Sequence, residues 1–338
     1  MLIDFLEKIY YFCGVAELKV EIISKSKNLP VMNYRSIFHS DMLFRILEKT
    51  PGQRPYMAIA YNEEKQLGHL LVTIRRVSNA FPYNLFMQCR AYGEGEYNCV
   101  DSIKEDVFRA LLNAITRIVR HKLCLYVEFS GISTKMFGYK VLRENGFFPV
   151  HSVDVCNSFN NIKPENRLTY KIRKQLVAAK RSGIKVIEST SVSSTNEFLN
   201  ILKHNSLRRH TTMHISENLF YNLIESGLCK VFNAFENGRI EGGCSCLFSG
   251  SSCYLWQIAS KKCLHKKRIN TMIVWTAMQY AYKNGCKHVS FMDTGLPFRK
   301  NRFREYILSF GGEPTASYRW FRCSIKWVNK LLSWFYRE

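Results

Sequence analysis

The sequence predicts an α/β (α+β) protein of two tandem domains, each a mixed central sheet flanked by helices, with an amphipathic helix at the C-terminal end. Three observations predict it. First, the chain states one pattern twice: an apolar run closing on an acid, a polar loop, an amphipathic helix, then Gly and a further strand. Leu125 to Phe129 with Glu128, then Phe137 to Phe147 with Gly146, form the first copy. A run ending in Asp293, then Phe303 to Gly312, form the second, and the offset from Glu128 to Asp293 equals that from Gly146 to Gly311. Solenoid repeats run about 20 to 50 residues, so a period this long indicates a duplicated domain. Second, 338 residues is the length of roughly two domains. Third, 46% hydrophobic and 14% aromatic content belongs to a globular chain and excludes a disordered one. The expected division is 1–163 and 164–338.

The elements follow from local pattern. Asp41 to Glu48 reads as a helix ended by Thr50-Pro51-Gly52. Tyr56 to Tyr61 and Leu67 to Arg75 read as a hairpin turning at Asn62 to Lys65, and Leu85 to Tyr92 as a strand. Asp101 or Ser102 caps a long helix to about Arg120, in which Val107, Leu111, Ala114, Ile115 and Ile118 keep helical spacing. Leu123 to Phe129 is the next strand. The second half opens on a basic helix from Arg167 to Gly183, glycine being a natural helix stop. Asn196 to His204 and Glu217 to Ser226 read as helices. Strands follow at Cys229 to Glu236, Arg239 to Ser249 and Ser252 to Ala259, the first two joined by Asn237-Gly238. A helix from Thr271 to Lys283 then leads to a strand from Lys287 to Asp293. Ser324 to Arg337 reads as the amphipathic terminal helix.

Twelve scattered cysteines without a CxxC pair, and acids interrupting the first apolar residues, predict a cytoplasmic protein. Cys244 and Cys246 share a strand face but lack further ligands nearby, so no metal is expected. Forty-nine Lys and Arg against 27 Asp and Glu give a net charge of +22, a surface that attracts nucleic acid, anionic membrane or a phosphorylated substrate.

The order of meander, helix, strand, helix and strand, with Phe137 to Phe147 in the first copy, resembles the GNAT acyltransferase fold. The tandem arrangement, the basic helix around Arg173-Lys174, and Asp293 to Lys300 running into Phe310-Gly311-Gly312 resemble its FemAB-like branch, the peptidoglycan-bridge or acetyltransferase-6-like proteins. The resemblance covers nearly the whole chain. It implies transfer of an acyl group to an amine from acyl-CoA or from aminoacyl-tRNA, with cell-wall precursors among the acceptors of relatives. One departure concerns the donor: where CoA-binding relatives carry spaced glycines after the central strand, this chain has Ser260 to Asn270 without any.

Acyl transfer to an amine needs alignment, a polarised carbonyl and a route for the proton. Asp293, at the carboxyl end of an apolar strand, suits binding or deprotonating the amine, or simply organising its turn. Arg299 and Lys300 suit an oxyanion or phosphate, or solvent. They stand where the FemAB-like resemblance implies a Phe-Lys pair; an Arg fork beside Phe298 replaces the point charge. Lys261, Lys262, Lys266, Lys267 and Arg268 precede a helix whose expected cap is Asn270 or Thr271, and helix N-termini favour phosphate; an ordinary exposed basic loop is the alternative. Glu94, Glu96 and Tyr97 lie in the loop Gly93 to Tyr97 and suit an amine or a sugar hydroxyl, or form a tight turn. Glu128 holds the place of Asp293 in the first copy. His210 and His214 share a helical face, which suits acceptor binding or exposure, with no third ligand for a metal.

The last helix carries Ile325, Val328, Leu332 and Phe335 on one stripe and Trp327, Leu331 and Trp334 beside it. It is too short to span a bilayer, which takes about 20 apolar residues. Two readings stand: an interfacial helix placing the protein on the inner face of the membrane, or a helix packed on its own domain. The expected function is an N-acyltransferase acting on a cell-envelope or sugar-linked precursor with acyl-CoA as donor. The alternatives are an aminoacyl-tRNA-dependent transferase, or a nonenzymatic RNA- or membrane-binding scaffold on a degenerate fold.

Overall fold

The computed structural model describes residues 8–13, 16–77, 85–132, 137–159, 162–208, 216–262, 266–291 and 301–336. In chain order, the first elements are β1 (Lys8–Cys13), β2 (Ala16–Ile23), α1 (Asp41–Lys49), β3 (Gln53–Asn62), β4 (Lys65–Arg76), β5 (Met87–Tyr92) and β6 (Glu96–Tyr97). Next come α2 (Asp101–His121), β7 (Cys124–Ile132), α3 (Tyr139–Glu144) and β8 (Phe148–Ser158). They are followed by α4 (Pro164–Arg167), α5 (Tyr170–Arg181), β9 (Lys185–Glu188), α6 (Val192–Arg208), α7 (Glu217–Glu225) and β10 (Cys229–Glu236). The chain continues through β11 (Arg239–Ser249), β12 (Ser252–Ser260), α8 (Lys266–Lys283), β13 (His288–Phe291), α9 (Arg302–Leu308), β14 (Glu313–Cys323) and α10 (Lys326–Phe335).

The chain forms two compact units, but they are not two consecutive halves. One comprises residues 1–151 with 317–338, and the other residues 152–316. This differs from the expected cut between 163 and 164, and strand pairing is the reason. The strand that follows the second copy's helix, β14, pairs antiparallel with β7 of the first unit, Phe321 opposite Glu128. The strand that follows the first copy's helix, β8, pairs antiparallel with β13 of the second, Phe291 opposite Val155. Pairing over such separations leaves no mark in local pattern.

Each unit has an antiparallel meander followed by one parallel crossover. In the first, β2, β3 and β4 are antiparallel neighbours, and α2 carries the chain from β5 to its parallel partner β7. In the second, β10, β11 and β12 form the meander, and α8 carries the chain to parallel β13. Asn237 and Gly238 both have positive φ at the β10–β11 turn, the backbone that a two-residue hairpin of this twist demands.

The crossover helices form in place because their apolar positions recur every three to four residues. Val107, Leu111, Ala114, Ile115 and Ile118 of α2 are buried against Ala58, Leu70 and Val72 in one core. Ile269, Ile273, Met278 and Ala281 of α8 are buried in the other, with Cys244, Cys246 and Cys253. Each such Leu, Ile or Phe contributes about 1.5 to 3 kcal/mol by leaving water. Two expected starts move. Helix α2 begins at Asp101, flanked by Val100, and no side chain caps it. Helix α8 begins by Lys266, so Asn270 and Thr271 lie inside it, because buried Ile269 already belongs to its apolar stripe.

Candidate functional site

The second unit holds a basic groove. Helix α5 packs on α8, and between them lies a groove of about 760 Å³ lined by Tyr170, Arg173, Lys174, Val177, Arg181, Ser182 and Arg268 among others. Positions 170, 173, 174, 177 and 181 recur at helical spacing, so α5 turns one face to the groove, while Ile172, Leu176 and Ala179 turn into the core. Arg268 reaches across from α8 and donates to Ser182 Oγ at 2.9 Å. Arg173 donates to the carbonyl oxygens of Glu165 and Asn166 at 3.3 and 3.4 Å. Four cations line this groove and no carboxylate does, a composition suited to a phosphorylated ligand.

Behind the groove a polar network ties three helices. The Thr271 hydroxyl lies 2.8 Å from Gln175 Oε1 of α5 and 2.8 Å from the carbonyl oxygen of Lys267, and Tyr306 of α9 donates to it at 3.4 Å. Burial pushes the Tyr306 phenol up, so it stays protonated and serves as a donor. Thr271 is buried, and its hydroxyl is committed to holding α8 against α5. Asn270 Oδ1 is buried without a hydrogen-bond partner among the described residues.

The remaining cations near the start of α8 differ among themselves. Lys261 is held 3.3 Å from Glu197 and 3.8 Å from Glu241. Lys262 and Lys267 are exposed, and Lys266 is half-buried. Of this predicted set, Arg268 alone lines the groove. Arg173, Lys174 and Arg181 were visible in the sequence as a basic helix but not as site residues. Their signal was the shared face at 173, 174, 177 and 181, which becomes a site only once Arg268 joins it from a distant segment.

In the first unit the predicted acids have internal partners. Glu96 Oε1 accepts from the Ser36 amide at 2.7 Å, Glu94 pairs with Lys104 at 3.5 Å, and Tyr97 donates to the Glu94 carbonyl at 2.6 Å. Burial raises the Tyr97 phenol well above its ordinary value. Gly93 and Gly95 sit at φ 86° and 99°, a tight turn that only glycine enters without strain. Beneath it the ring of buried His39 lies 3.1 Å from the Gly95 amide and 3.2 Å from that of Leu71, and His69 Nε2 lies 3.1 Å from the His39 carbonyl oxygen. Glu128 is buried on β7 between two arginines, Arg319 Nε donating to Oε1 at 3.0 Å and Arg90 Nη2 lying 3.1 Å from Oε2.

Asp293, Arg299 and Lys300, and His210 with His214, lie outside the described residues. Strand β13, which leads to Asp293, pairs with β12 as far as Phe291 opposite Leu255. Among the described residues no group of three or more His, Cys, Asp or Glu is placed to hold a metal ion. No described helix is long and apolar enough to cross a membrane.

Comparison with known proteins agrees with this architecture. Residues 170–300, which contain the groove, match the family model described as an acetyltransferase (GNAT) domain. The chain shares its fold with FemX, at 13% identity and TM-score 0.64 over 91% of this chain and 96% of that one. It shares it also with a tandem GNAT protein from the clavulanic acid biosynthesis pathway, at 9% identity and TM-score 0.57 over 84% and 88%. L-PGS from Bacillus licheniformis is similar at 12% identity and TM-score 0.57 over 91% and 100%. No curated protein sequence matches. The chain thus carries a segment that matches the acetyltransferase (GNAT) domain model, and it shares the fold of FemX and of a tandem GNAT protein.

Proposed function

We propose that the chain is an N-acyltransferase that moves an acyl group from acyl-CoA to an amine of a cell-envelope or sugar-linked precursor. The donor assignment rests on the carboxylate-free groove of Arg173, Lys174, Arg181 and Arg268, with Tyr170 at its edge offering a ring face to an adenine. There the phosphates of the donor meet fork donors that match them in pairs. The acceptor class comes from the resemblance to the FemAB-like branch.

In the reaction the amine nitrogen attacks the thioester carbonyl carbon. A C–N bond forms, the C–S bond breaks, and the sulfur departs as thiolate while the nitrogen gives up its proton. We assign that proton to Asp293 and the carbonyl oxyanion to Arg299 and Lys300, with His210 and His214 at the acceptor. Holding amine and thioester together supplies much of the rate, and the base adds a smaller factor.

A second reading has aminoacyl-tRNA as donor, supported by the exposed cations Lys171, Arg173, Lys174, Lys180 and Arg181 along α5. Thermal stabilisation by acetyl-CoA and longer acyl-CoAs, beside uncharged tRNA over a salt series, separates the two. A melting shift with CoA species that Arg268→Ala removes supports the thioester donor. A shift with tRNA alone, fading as salt rises, replaces it with aminoacyl transfer. No shift with either overturns both and favours a nonenzymatic scaffold.

A further inference from the structure

The first unit contains a cavity of about 1480 Å³ that none of the chemistry above uses. Its walls come from the C-terminal turns of α2, the start of β7, the end of α3, the end of β14 and the length of α10. The lining is of two kinds. Apolar groups include Val119, Leu125, Phe147 and, at the mouth, Leu123, which is 82% exposed. The cations are Arg120, Arg143, Arg322, Lys326 and Lys330, and none of them makes a salt bridge among the described residues. The one carboxylate in the lining, Glu144, is paired with Arg109.

Helix α10 is fixed by polar contacts rather than by a buried stripe. Asn329 accepts from the Cys323 amide at 2.8 Å and donates to the Gly146 carbonyl at 2.9 Å, while Tyr336 stacks on Phe148. No residue of α10 is fully buried. Val328 and Leu332 are half-buried, whereas Trp327, Leu331 and Trp334 form a second apolar row that is left in solvent, Trp327 at 70% and Trp334 at 62% exposure. An apolar row carrying two indoles and flanked by Lys326 and Lys330 has the composition of a helix that lies in a lipid headgroup layer.

We propose that α10 and the cavity beside it form a docking face for an anionic phospholipid bilayer, with the indoles in the interface and a lipid phosphate held by Arg120 and Arg322. Charge complementarity selects this occupant. Arg322 is half-buried, and both its burial and the charge of Arg120 lower its pKa, so an anion between them relieves the repulsion. A second copy of this chain, itself at +22, would set like charges against like. A nucleic acid would satisfy the cations but leave the apolar row in water. The inference is independent of the acyl donor, since the cavity lies wholly in the first unit and the groove in the second.

Co-sedimentation of the full chain with phosphatidylcholine vesicles, and with vesicles carrying about a third phosphatidylglycerol, tests it, alongside the blue shift of tryptophan emission. Binding should need the anionic lipid and weaken as salt rises. Trp327→Ser with Trp334→Ser should abolish the shift. Lys326→Glu with Lys330→Glu should lower partitioning about tenfold or more. All four residues are exposed, so the variants should fold, and an unchanged melting shift with acyl-CoA would confirm that the groove is intact. Equal binding to neutral vesicles, indifference to these variants, or no binding at all overturns the proposal. Saturation by soluble glycerol phosphate without vesicle binding would assign the cavity to a free phosphate ester instead, and retention by tRNA alone would assign it to nucleic acid; either also overturns it.

Discussion

Arg319 donates through Nε to Glu128 Oε1 at 3.0 Å, joining residues 191 positions apart in the chain. Glu128 is nearly inaccessible, while Arg319 and Arg90 keep a third or more of their side chains in solvent, so the acid is the partner that needs compensation. Glu128→Gln keeps the shape and removes the negative charge that both arginines contact. Allowing for the exposure of the arginines, the expected loss is about 1 to 3 kcal/mol, read from a urea transition. An unchanged midpoint with reduced turnover would make Glu128 a substrate carboxylate.

Gly146 and Gly311 close the two copies of the repeat with φ of 78° and 87°. The strain of placing Ala there is about 1 kcal/mol at either site. Surroundings then separate them. A Cβ on Gly146 meets nothing closer than 3.9 Å, whereas one on Gly311 would lie 2.6 Å from the Arg167 carbonyl oxygen. Gly311→Ala should therefore cost about 2 to 4 kcal/mol, and Gly146→Ala clearly less, in parallel thermal or urea melts.

His39 and His69 are buried together, and burial lowers them to about 3 and about 4. A neutral imidazole in the folded state that would ionise near 6.5 when unfolded gives stability that is complete above pH 6.5. That stability is lost progressively as pH falls from there towards about 4, because only the unfolded chain takes up protons in that window. The slope corresponds to about 2 kcal/mol per imidazole by pH 5. Urea transitions at pH 7.5 and 5.0 should show it, and His69→Gln should reduce the slope. A flat profile would contradict the burial of the pair.

Val177 sits among the groove cations and is 50% exposed. Val177→Glu should leave the melting temperature of the free protein unchanged and weaken CoA binding by about tenfold or more, through the like charge it presents to phosphate. Titration of CoA by calorimetry checks it. Retained affinity would move the donor away from α5.

What the sequence made legible was whatever depends on near neighbours. The Asn237-Gly238 hairpin, the stripe of α2 and the paired glycines each follow from a few adjacent residues. Element starts proved less legible where two local signals compete: Asn270 looks like a cap, yet Ile269 before it is already a core residue of α8. The groove was half legible, since α5 announces its charge but nothing adjacent says that Arg268 faces it. Both carboxylates of the Gly93 to Tyr97 loop looked available until Ser36 and Lys104, from other segments, proved to hold them.

The placement of β14 in the first unit bears on how the protein is made. A ribosome delivers the meander, α2 and β7 early, yet β7 has no partner on its far side until residues 317–323 emerge. The first unit must therefore persist as an open-edged intermediate throughout synthesis of the second, with a bare strand edge that invites wrong pairing. The N-terminal unit is thus the last to be completed, and a premature stop within β14 beyond Ala316 would leave it open-edged although every residue of the other unit had been made.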